Sequence, residues 1–235
     1  PMMGIIGSAD MPVTKTTNAV LVLPNDHIIV NKKRRTASID MKTAASICCQ
    51  CQMCTDLCPR HNLGHPIEPH KFMRAASNKD FRDTNPYINT FFCCSCGVCE
   101  MFACPQSLAP RSLMADFKGA LRKNGVKPPQ VTTKPVQESR EYRKVPEERL
   151  MARLGLTKYD KPAPLDDEVV PVKKVTVKLS QHIGAPAQPV VAKGDMVTAG
   201  QMIAKPADKA LSVAIHASIS GRVADVNAQT IVIVA

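Results

Sequence analysis

The chain has 235 residues, a formal charge of +11, six Phe, three Tyr and no Trp, which allows one or two domains with aliphatic cores. Its longest apolar runs, 19–23 and 231–235, fall far short of the ~20 residues of a membrane helix. No charged-then-apolar secretory signal opens it, so the expectation is a cytoplasmic chain without a membrane span. The charge comes without interleaved aromatics, and Lys32-Lys33-Arg34-Arg35 is the only basic run, which argues against nucleic acid and leaves acidic redox proteins as partners.

In chain order, Ala19–Leu23 and His27–Val30 read as short strands about the turn Pro24-Asn25-Asp26, and residues 1–39 as the end of a β-rich segment. All ten cysteines then fall in two short stretches. A disulfide scaffold would scatter them through a small secreted chain. Cys48, Cys51, Cys54 and Cys58, followed by Pro59, give C-x2-C-x2-C-x3-C-P, the run that binds four-iron clusters in bacterial ferredoxins. Cys93, Cys96, Cys99 and Cys104, followed by Pro105, repeat it with one extra residue before the last cysteine. Cys48, Cys49, Cys51 and Cys54 recur in the same spacing as Cys93, Cys94, Cys96 and Cys99, so the module is duplicated.

The spacing has a physical reason. Thiolates at intervals of three wrap a tight loop around one face of an iron–sulfide cube, and the fourth ligand arrives from elsewhere. In two-cluster ferredoxins the fourth cysteine of each run ligates the other cluster. The expected ligand sets are therefore Cys48, Cys51, Cys54 and Cys104 for one [4Fe-4S] cluster, and Cys93, Cys96, Cys99 and Cys58 for the other. Gly97 lets backbone amides approach the sulfurs, which raises the potential. Zinc ribbons instead pair two C-x2-C units about 15 to 20 residues apart. Cys49 and Cys94 are left over and read as buried thiols near the clusters.

Pro69–Asn78 and Pro110–Lys123 carry helix signals, with Pro in the first turn. The second sets Leu113, Phe117, Ala120 and Leu121 on one face and stops at Asn124-Gly125. Residues 40–125 thus read as an α-helical module holding two clusters, with His61, His65 and His70 as surface or turn residues. Residues 126–174 are rich in Pro and charge and read as a linker with one helix, Pro146–Leu154, whose Leu150, Met151 and Leu154 dock it. From Val175 the pattern alternates, and turns at Gly194-Asp195 and Gly200-Gln201 break residues 175–235 into short strands of a small barrel-sandwich hybrid. The fold class is α+β. Asp208-Lys209-Ala210 is similar to the hairpin tip of lipoyl domains, but its spacing is off, and it reads as a solvated turn lysine.

Pro1-Met2-Met3-Gly4 with Lys15-Thr16-Thr17-Asn18 resembles a segment of the RnfC family, named for its place in the Rnf electron-transport complex, and so does Gln181–Pro186 with His216–Gly221. In that family the N-terminal segment follows a flavin- and NADH-binding domain, so the resemblance implies the C-terminal half of a longer protein. A sandwich domain placed after the clusters, with Arg140–Pro146 and Leu154–Tyr159, resembles the cobalamin-reductase branch found in propanediol-utilising bacterial microcompartments. That resemblance implies an upstream flavin domain of the same protein that takes hydride from NADH onto FMN, and two clusters that carry electrons to cobalamin, giving cob(I)alamin for coenzyme B12 recycling. It implies as partners cobalamin or an adenosyltransferase, and a microcompartment shell protein. The chain has no Gly-rich dinucleotide fingerprint, so no catalytic, FMN- or NADH-binding residue is assigned within it. The alternatives are an Rnf-type protein that passes electrons to a membrane complex, and a non-enzymatic scaffold module whose clusters are structural.

Overall fold

Helices flank both cysteine loops in the computed structural model, which describes residues 2–130, 133–166, 168 and 170–235. Pro1 of the opening motif, and Val131, Thr132, Asp167 and Val169 of the linker, lie outside the described residues. The chain forms two bodies. One gathers the residues through Ile6 with Leu23–Pro162, and the other joins Gly7–Val22 to Ala163–Ala235.

In the first body the helices Pro69–Ser77 and Pro110–Lys123 form as the sequence suggests, each with proline in its first turn. Their apolar faces meet at Phe72, Met73, Leu113 and Met114, all nearly solvent-free. Phe117 adds an edge-on contact to Phe72 at 5.3 Å and stacks on Tyr87 at 5.4 Å. The buried stripe is Pro110, Leu113 and Met114, whereas Ala120, expected on the inner face, is exposed.

The strands expected at Ala19–Leu23 and His27–Val30 do not form, and none of residues 2–39 is in a strand. Ile28–Arg34 is instead a helix. His27 Nδ1 accepts from the Ile29 N–H at 3.3 Å, and Lys32, Lys33 and Arg34 occupy the last turn, where cations favour the helix dipole. Burial of Ile29 against Met101, Leu154 and Leu156 outweighs the β-propensity of Ile28-Ile29-Val30. The later helix runs Glu147–Arg153, with Leu150 and Met151 beside the same cluster. Residues read as linker are tied down here too. Lys134 N–H donates to the Gly64 carbonyl at 2.9 Å and Gln137 N–H to that of Asn62 at 3.0 Å. Gly64 stands at φ +88, and a Cβ there would lie 2.0 Å from the Lys134 carbonyl oxygen, so only glycine permits the approach.

The second body is a two-sheet sandwich. Its strands are β1 (Lys174–Lys178), β2 (Gln188–Pro189), β3 (Met196–Val197), β4 (Met202–Lys205), β5 (Ile215–His216), β6 (Gly221–Val226) and β7 (Thr230–Val234). They pair antiparallel in the orders β1-β7-β6-β3 and β2-β4-β5. Strand alternation puts Ile231 and Ile233 of β7 into the core with Val223 and Ile203, all 0 % exposed. Ile233, paired with Val175 of β1 and Val223 of β6, is a sensitive test of this core. Ile233→Ala is expected to cost about 2–5 kcal/mol in denaturant unfolding, and a loss well below that range would mean that the position is not packed as described.

Candidate metal centre

The two loops share a backbone as well as a spacing. Gln50 and Gln52 have φ of 54° and 66°, and the equivalent Ser95 and Gly97 have 58° and 85°. A left-handed non-glycine residue costs on the order of 1–3 kcal/mol and persists only where the surroundings demand it. Alternation between right- and left-handed residues turns successive N–H groups inward, a concavity that suits anions and iron–sulfur clusters. Gly97 is also packed closely, since a Cβ there would lie 3.4 Å from Cβ of Met2.

The extra residue of the second motif has a definite place. Around Cys54 the chain makes one α turn, Met53–Asp56. After Cys99 it makes a π turn, Cys99–Ala103, which takes up one more residue per turn. Cys58 then leaves with φ −74°, ψ 117° and Cys104 with φ −75°, ψ 113°, so both loops regain the same geometry at their last cysteine.

All ten thiols are unpaired, and they gather in two sets. Burial pushes the Cys54 thiol up to about 12, reinforced by Cys104, Cys48 and Cys51. Burial raises Cys99 well above the ordinary thiol range, with Cys58, Cys93, Cys54 and Cys96 adding to it. Cys58 is likewise raised by burial and then opposed by the His61 and Arg60 N–H groups, while Cys93 and Cys94 add to the rise. Cys58 therefore lies among the thiols of the other motif, and Cys104 among those of the first. Cys48, Cys49, Cys51, Cys54 and Cys104 line one cavity. Among the described residues, no three His, Cys, Asp or Glu side chains converge as a single metal ion requires.

Hydrogen bonds to sulfur complete the fit. The Ser95 N–H donates to Cys93 Sγ at 3.3 Å, the Leu108 N–H to Cys104 Sγ at 3.3 Å and Gln50 Nε2 to Cys48 Sγ at 3.2 Å. Such donors stabilise thiolate and tune a metal centre. Thiols held protonated by burial must lose their protons to bind metal, so loading this site releases protons.

Cations surround the loops, and apart from Arg35 of the basic run 32–35 no motif signals them. Arg153 donates to the Cys104 carbonyl at 3.3 Å, Arg35 to that of Ser107 at 3.3 Å, and Lys118 to that of Cys93 at 2.9 Å. They come from positions spread between 35 and 153, and only the fold brings them together. The three histidines are half-buried and hydrogen-bonded rather than on the surface. His61 bonds the Ile67 carbonyl at 3.0 Å, His65 contacts Arg60 at 3.2 Å, and His70 bonds the fully buried Thr55 at 2.8 Å. Exposed Cys49 and half-buried Cys94 are less enclosed than expected.

Residues 47–109 match the family described as a 4Fe-4S dicluster domain, and residues 160–234 match the RnfC barrel sandwich hybrid domain. Over all 235 residues the chain is 40 % identical to the cobalamin reductase PduS of Salmonella typhimurium and 37 % identical to that of Citrobacter freundii, covering 52 % of each. The chain thus spans about half the length of these curated relatives. Over 60 residues, 25 % of this chain and 13 % of the relative, it is 52 % identical to a component of the proton-translocating ferredoxin:NAD(+) oxidoreductase complex of Clostridium ljungdahlii. No helix among the described residues is long and apolar enough to cross a membrane. Both matched domains, in this order, and a likeness to PduS that runs from end to end make the chain similar to RnfC-like proteins, and over a longer stretch to the cobalamin reductases than to the Rnf-type proteins.

Proposed function

We propose that this chain is the electron-relay half of a flavin-dependent NADH oxidoreductase that reduces cobalamin. The observation that carries the reading is the likeness to the PduS cobalamin reductases over all 235 residues, and the relay is supported by Cys104 lining one cavity with Cys48, Cys51 and Cys54. Cys48, Cys51, Cys54 and Cys104 hold one [4Fe-4S] cluster, and Cys58, Cys93, Cys96 and Cys99 the other. When bound, such clusters take up and pass on single electrons at potentials set by their surroundings. The chain's own residues hold the sulfurs, donate N–H groups to them and set cations nearby to balance a net-negative centre.

NADH and FMN belong to an upstream domain of the same protein in this reading. Cobalamin, taken to cob(I)alamin, or an adenosyltransferase that holds it, is the acceptor. The working place is a bacterial microcompartment in the cytoplasm, where a shell protein is a further partner. The local likeness to the Rnf-type protein supports a second reading, delivery of electrons to a membrane complex.

Anaerobically purified chain is expected to carry about eight iron and eight sulfide, with broad visible absorbance that bleaches on reduction. Stoichiometric zinc without sulfide would overturn the cluster reading. Iron centres that a reductive titration leaves unchanged would favour a structural scaffold.

A further inference from the structure

Glu100 is 3 % exposed, and the relay described above makes no use of its carboxylate. It sits on the π turn between Cys99 and Cys104, one residue after a thiol of one set and on the path to a thiol of the other. Its Oε2 accepts from the Ser112 N–H at 2.8 Å, and its Oε1 from the Ser112 hydroxyl at 3.2 Å. Ser112 is the third residue of the helix Pro110–Lys123, whose own N-cap, Ala109, offers no side-chain acceptor. Glu100 therefore caps this helix from a distant turn, with its charge at the positive end of the helix dipole. Arg111 Nη2 stands 3.8 Å from Oε1, and Lys32 Nζ donates to the Glu100 carbonyl at 2.5 Å.

A neutral cap would hold a helix equally well, and burying a charge is costly. The first motif places Thr55, the residue after Cys54, in the equivalent position, where its hydroxyl accepts from the His70 N–H in the first turn of the Pro69–Ser77 helix at 3.0 Å, so the corresponding cap there is neutral. We propose that Glu100 is a positioning residue of the relay, which pins the Cys99–Cys104 turn to the Pro110–Lys123 helix and holds the cluster potentials down with its fixed negative charge. Reduction adds one electron to a centre that is already net-negative, and breaks no bond. A carboxylate in a poorly solvated site opposes that addition more strongly than one in water does. Arg111 offsets part of the effect.

This inference rests on the proposal that the thiols hold clusters. The test is a spectroscopically monitored redox titration of the full chain. Glu100→Gln keeps an acceptor for the Ser112 N–H and removes the charge. At the wild-type midpoint, the reduced-to-oxidised ratio of at least one cluster should rise about threefold or more, on the order of 30 mV, with neither cluster falling. Arg111→Gln, which leaves the cap in place, should shift the ratio the opposite way, and it keeps the test open if Glu100→Gln does not load clusters. Wild-type protein without redox-active clusters would overturn the proposed function and this inference with it. A redox-active wild type whose midpoints ignore both substitutions, or move in the reverse directions, would overturn the role of Glu100 alone.

Discussion

Cys58→Ser is expected to abolish the signal of the cluster built on Cys93, Cys96 and Cys99 while leaving that of its sequence neighbours Cys48, Cys51 and Cys54. Cys58 is 8 % exposed, and burial, with Cys93 and Cys94 of the other run adding to it, raises its thiol. Its place follows from the α turn Met53–Asp56 and from Pro59, which opens the next helical turn, Pro59–Asn62, and carries the chain away from the first loop. A serine hydroxyl is a poorer ligand for a thiolate-bound cluster. Paramagnetic resonance of the reduced protein, calibrated with Cys51→Ser and Cys96→Ser, identifies the missing signal. Loss of the first-loop signal with the second intact would mean that each motif closes its own cluster.

The second large effect concerns the path of electrons. In a protein that carries the upstream flavin domain, Cys51→Ser or Cys96→Ser should slow cobalamin reduction by at least the roughly 10–100-fold typical of damage around a metal centre. Flavin reduction by NADH should keep its wild-type rate. Both cysteines are the central thiols of their loops, flanked by the left-handed residues Gln50 and Gln52 or Ser95 and Gly97. Their loss therefore disturbs the cradle as well as the coordination. Stopped-flow mixing separates the two steps, with flavin bleaching read at one wavelength and cobalamin at another. Equal cobalamin rates in wild type and both variants would show that the flavin delivers its electrons directly and that the clusters lie outside the path.

Features that depend on local spacing were legible in the residues alone. The duplicated cysteine runs, the proline-started helices at Pro69 and Pro110, and the alternation of β1 can all be read from a few neighbouring residues, because loop closure and strand or helix periodicity are short-range properties. Packing between distant segments settled the rest. Ile28-Ile29-Val30 has strand propensity, yet it is helical because Ile29 is buried against Met101, Leu154 and Leu156, residues far along the chain. The one-residue excess before Cys104 is visible in the sequence as an irregularity, but its resolution as a π turn that delivers Glu100 to Ser112 depends on where the Pro110–Lys123 helix lies. Of the cations, Arg35 lies in the basic run 32–35, while Lys118 and Arg153 follow no motif. They reach the cysteine loops only through packing between segments distant in sequence, and charges act through distance in space, which no local pattern of residues encodes.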